Sequence, residues 1–146
     1  MKRIARFELH PPTGEDATKC RLMADGVSTN RMISGIKLVD QFELPGGFLL
    51  VTDFNDPWEE STQLTLLDEQ FKPLARKSLG LDGYVFMRRP FSTTTIEILN
   101  DRELLLKSLS EDEGQYHVEI RETGIPIFKS RIKAQWLSGK PEALKT

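Results

Sequence analysis

The side chains of this chain alternate with a period of two along most of its length, and that periodicity restricts it to strands with one buried and one wet face. In "QYHVEIRE" Tyr116, Val118 and Ile120 point one way while His117, Glu119 and Arg121 point the other. "IFKSRIKAQW" sets Phe128, Ile132 and Trp136 against Lys129, Arg131, Lys133 and Gln135. Both read as antiparallel strands, with Trp136 in the core.

Similar segments lie near residues 3–9, 17–24, 32–39, 48–54, 62–68, 74–79, 84–88, 93–99 and 103–109. Turn signals separate them: "PPTGED", "DG" at 25, "PGG" at 45, "NDP" at 55, "GLDG" at 80, "ND" at 100, "EDEG" at 111 and "TGIP" at 123. About eleven short strands at this spacing predict an all-β fold, an antiparallel meander closed into a sandwich or partly open barrel with little helix. A propeller is excluded by length, since about three blades of roughly 40 to 50 residues do not close a ring.

With 146 residues, the chain suits one domain around one core, without disulfides or a structural metal. Residues 1–137 form that domain in this reading, and "SGKPEALKT" makes 138–146 a flexible tail. A formal net charge of -2 argues against nucleic acid, which calls for a basic excess or stripe. The apolar run around Phe48 to Val51 is too short to cross a bilayer, and "MKRIAR" precedes no signal-like stretch. The expectation is a cytoplasmic protein with no membrane partner. A lone Cys20 alternating with Leu22 reads as a small buried hydrophobe.

Catalytic parts are scarce. His10 sits in a Pro-rich turn and His117 on the polar face of a strand, neither with a ligand-spaced partner. No nucleophile elbow, phosphate-cradling glycine loop or paired-cysteine motif occurs, and "PGG" at 45–47 reads as a hairpin turn. The chain is expected to be no enzyme, with no metal site and no cofactor.

The charge distribution carries more information. No Lys or Arg lies between Lys37 and Lys72, where Asp40, Glu43, Asp53, Asp56, Glu59, Glu60, Asp68 and Glu69 accumulate. Gathered on one surface, such acids steer a basic partner. The candidate contact is the stretch "DFNDPWEE", through Asp53, Asp56, Trp58, Glu59 and Glu60. Trp58 serves either as an interface anchor or as a plug folded back on the sheets, and the carboxylates either bind or solvate a loop.

The stretch "FLLVTDFNDPWEESTQLTLLDEQFKPLARKSLG" resembles a pattern in small β-rich bacterial immunity-type proteins of polymorphic toxin systems. The resemblance covers about residues 47–80, and the matched positions are Thr52, Pro57, Trp58, Glu59, Glu60 and Asp68. It implies a non-catalytic protein that binds and blocks a cognate toxin, here one with a basic surface. Several matched residues also suit the hairpin itself: Pro57 fixes a turn and Asp68 closes the next one.

Three functions stay open at this level. The first is an immunity protein that occludes a toxin; the second is a small-ligand-binding or scaffold β-barrel; the third is a hydrolase using Asp53 with Glu59 or Glu60. The sequence leaves the oligomeric state open.

Overall fold

The computed structural model describes residues 1–12, 19–54, 62–79, 93–108, 114–122 and 131–137. Among them there is no helix, and twelve strands form three antiparallel sheets. In chain order these are β1 Lys2–Arg3, β2 Phe7–His10, β3 Lys19–Ala24, β4 Val27–Ser34, β5 Lys37–Leu44, β6 Gly47–Asp53, β7 Thr62–Asp68, β8 Pro73–Leu79, β9 Thr93–Ile98, β10 Glu103–Ser108, β11 Gln115–Ile120 and β12 Ile132–Leu137. The all-β expectation holds. The expected strand at 84–88, the tail at 138–146 and Phe128 lie outside the described residues.

The four-stranded sheet, in the order β12-β11-β10-β9, follows the period-two pattern directly. Tyr116, Val118 and Ile120 of β11 are buried and register with Trp136, Ala134 and Ile132 of β12. Leu104 and Leu106 of β10 continue the apolar face. Trp136 packs on this core while staying half-buried. Its indole lies against Gly114, where a side-chain carbon would come within 2.6 Å of Nε1.

Strands β6 and β7 behave differently, being buried at six consecutive positions each. They are the middle of the five-stranded sheet, ordered β1-β5-β6-β7-β8, and both of its faces are covered. Leu49, Val51, Leu64 and Leu66 pack toward the four-stranded sheet. Phe48, Leu50 and Leu67 pack on the other side against Phe7, Leu22, Ala24 and Ile33 of the three-stranded sheet β2-β3-β4. Fully burying each such side chain stabilises the fold by about 1.5–3 kcal/mol. The protein is therefore a three-layer stack with two hydrophobic cores, where the sequence reading expected one.

Among the described residues none of the sheets closes into a barrel, and the arrangement fits the sandwich-like alternative. The central and four-stranded sheets nevertheless meet at both margins. On one side β8 lies beside β12. On the other, Arg3 of β1 reaches across: Nη2 donates to the Ile96 carbonyl of β9 at 2.9 Å, Nε donates to Asp40 at 2.8 Å, and the guanidinium sits 5.3 Å from the centre of the Phe42 ring.

Turn chemistry fixes the registers. Asp25 and Gly26, at φ 53 and 80, make the two-residue connection between β3 and β4, as a primed hairpin turn requires. Pro45 and Gly46 turn β5 into β6, and Asp68 closes the β7–β8 turn by accepting the amides of Gln70 at 2.8 Å and Lys72 at 2.9 Å. Two boundaries differ from expectation. The strand read at 32–39 is broken at Gly35, whose φ of 110 turns the chain from the three-stranded sheet into the central one. The strand read at 3–9 is likewise divided into β1 and β2, which belong to different sheets.

Candidate functional site

The acidic stretch leaves the central sheet where β6 ends, and the residues at its base are buried and bonded. Asp53 and Thr62 are register partners at the ends of β6 and β7, so residues 54–61 connect two adjacent strands at one margin of the sheet. Thr52 is fully buried, and its Oγ1 donates to the Ser34 carbonyl at 2.7 Å. Gly35 permits this approach, since a side-chain carbon there would lie 2.5 Å from the same hydroxyl. The Asp53 carbonyl accepts the Ile36 amide at 2.7 Å. On the return strand, Thr62 Oγ1 lies 2.9 Å from Thr93 Oγ1, both buried, which ties β7 to β9.

The base of the acidic connection is thus held by both outer sheets at once. A loop carried on such a base presents its residues from a rigid scaffold, which suits recognition. Asp53 is half-buried there, paired in register with Lys37 on its other side. Asp56, Trp58, Glu59 and Glu60 lie outside the described residues, as does Pro57.

The remaining acids of the lysine-free third do not join Asp53. Asp68 and Glu69 sit at the opposite end of the β6–β7 hairpin, since Gly47 registers with Asp68; six residue steps separate the two ends, about 20 Å. Asp40 is engaged by Arg3 and also accepts the Gln41 amide at 2.9 Å. Glu43 registers with Lys2. The negative charge is spread over three places, and along the sequence it is densest from Asp53 to Glu60.

Among the described residues the other titratable groups form no second centre. His10 lies 3.2 Å from Glu8 on an exposed strand end, and His117 Nε2 lies 2.9 Å from Glu103 on the outer face of the four-stranded sheet. Glu103 is held below the usual carboxylate range, first by a hydrogen bond from the Asn100 amide and then by His117. Cys20 is fully buried as expected, its thiol pushed up by burial, which disfavours the thiolate a nucleophile needs. Among the described residues no group of three or more His, Cys, Asp or Glu is placed to hold a metal ion. Among them, too, no helix is long and apolar enough to cross a membrane.

Two contributors were not visible as sequence patterns: Thr52, read only as a matched position, anchors the base of the connection, and Gly35 makes room for it. No protein-family model matches the chain, and no curated protein matches it significantly.

Proposed function

We propose that this chain is a non-catalytic cytoplasmic binding protein of the immunity type, which neutralises a cognate toxin by occluding it. Residues Asp53, Asp56, Trp58, Glu59 and Glu60 make the contact, and the toxin presents a basic surface to them. The observation that carries this reading is the double anchoring of the connection's base, by Thr52 on Ser34 and by Thr62 on Thr93. Strand ends already fixed on both sides of the connection leave less backbone to order on binding. The resemblance over residues 47–80 supports the same assignment.

Thr52 and Asp68, two of the matched positions, serve the hairpin itself, so in this reading recognition belongs to the carboxylates and Trp58. A ligand barrel has less support, because buried side chains pack together in both cores and no sheet closes among the described residues. The test is capture from the source cells followed by co-expression. A stoichiometric basic protein that arrests growth alone, and is silenced by this chain, supports the proposal. A captured protein whose effect is unchanged by co-expression contradicts it.

A further inference from the structure

Four cations, Lys19, Arg21, Arg31 and Arg76, lie on the three-stranded sheet and beside it. Arg3, Arg6, Arg102 and Lys107 each hold a carboxylate. Among the described residues, Lys19, Arg21, Arg31 and Arg76 form no ion pair. Burial of Cys20 and Leu22 turns Lys19 and Arg21 to the outer face of β3, about 7 Å apart. Across the register Arg21 faces Met32 and Lys19 faces Ser34 of β4. Arg76 joins them from the central sheet, donating Nη1 to the Ser34 hydroxyl at 2.8 Å. Met32, 47% exposed, sits in the middle of this basic band.

The strand that carries Met32 is a sheet edge. In the order β2-β3-β4, no strand among the described residues pairs with the outer side of β4. Unpaired edges are templates for another strand, and folds blunt them with charge, cover or bulges. Here β9 is capped by Arg3, and β8 lies beside β12. On β4 the first half is blunted by a bulge at Thr29–Asn30, where Asn30 takes φ 60 and Thr29 Oγ1 donates to the Leu22 carbonyl at 2.8 Å, and the Ser34 carbonyl at the far end is taken by Thr52. The second half keeps a regular register through Arg31, Met32 and Ile33.

We propose that the outer edge of β4, with Lys19, Arg21 and Arg76 around it, docks an extended acidic segment of a partner protein as an added strand. Backbone pairing supplies affinity in such augmentation, and alternate side chains supply selectivity. Glutamates along the outer face of the added strand neutralise Arg21 and Lys19, and their methylene stems cover Met32. Its basic side chains are opposite in sign to the acids of the 53–60 contact, and Ser34 at one end of the edge also receives Thr52 from the base of that connection.

The test titrates the full chain with a labelled octapeptide alternating glutamate and threonine. Two relatives of it serve as controls: one with lysine for glutamate, and one N-methylated at alternate residues in either register. The proposal expects the acidic peptide to bind, the other two to fail, and Arg21→Glu and Arg76→Glu each to weaken binding at least about tenfold. Lys133→Glu, on the outer face of the other sheet, leaves binding unchanged, and thermal melts confirm that all three variants fold. Several results overturn the proposal: no binding of the acidic peptide, equal binding of the lysine or methylated peptide, or indifference to the two reversals. Self-association through β4 in sedimentation, or tighter binding of a DNA duplex than of the peptide, overturns it equally.

Discussion

The side-chain amide of Gln41 pairs with the backbone of Phe7 as a strand would: its Oε1 accepts the Phe7 amide at 2.7 Å, and its Nε2 donates to the Phe7 carbonyl at 3.1 Å. The same oxygen accepts the Arg6 amide at 2.8 Å. Between β1 and β2 the chain leaves the central sheet for the three-stranded one, and backbone groups there would be orphaned without this side chain. Replacing Gln41 by Leu is expected to destabilise the protein by about 2–4 kcal/mol, since each orphaned buried group costs roughly 1–3 kcal/mol. Urea unfolding with an unchanged slope checks it.

Gly47 gives a sharper steric expectation. A side-chain carbon there would lie 1.9 Å from the Leu67 carbonyl oxygen, a backbone atom in the central β6–β7 pair. Gly47→Ala must part the two most buried strands and should cost about 4 kcal/mol or more, in the range of severe single substitutions. At Gly46, open but with φ 90, Ala should cost only about 1–2 kcal/mol. Thermal melts of the two variants give the comparison.

Arg3 works through three contacts, and Lys cannot reproduce its fork or its flat face over Phe42. Arg3→Lys and Arg3→Ala should both lower stability, by about 1–2 kcal/mol for Ala because the side chain is half exposed and its ion pair is screened. Loss of the bond to the Ile96 carbonyl also bares the β9 edge, so light scattering should show concentration-dependent association in Arg3→Ala.

Acid titration tests the Glu103 pair. Its folded pKa is depressed, by the Asn100 bond first and His117 second, so its contribution is present above the ordinary glutamate value of about 4.3 and is lost as pH falls through the folded pKa. Carbon-detected NMR should place the Glu103 midpoint below that value, and Asn100→Ala should raise it. A midpoint at or above about 4.3 in the parent contradicts the assignment.

The period-two signal was enough for strands with one wet face. Tyr116, Val118 and Ile120 are buried as their alternation requires, and Asp68 closes its turn as its position suggests. The same signal hid the third layer. "GFLLVTD" and "TQLTLLD" do not alternate because both of their faces are covered, and a continuous apolar run marks double burial. β4 escaped notice because an edge strand tolerates the polar "STNR", and its break from β5 rests on one glycine backbone angle. The basic band was written in the alternation of Lys19 and Arg21 with Cys20 and Leu22, but Arg76 reaches it only through tertiary packing.

Association kinetics with the captured partner test the 53–60 contact most directly, measured by stopped flow over a range of salt for the parent and for Glu59→Lys/Glu60→Lys. Exposed substitutions usually change stability by within about 0.5 kcal/mol, so the variant should fold. Its on-rate should be slower than the parent's and flatter against ionic strength, because charges at a contact act chiefly on encounter. A folded variant that binds with the parent's rate and the parent's salt dependence would contradict the account and move the binding face elsewhere.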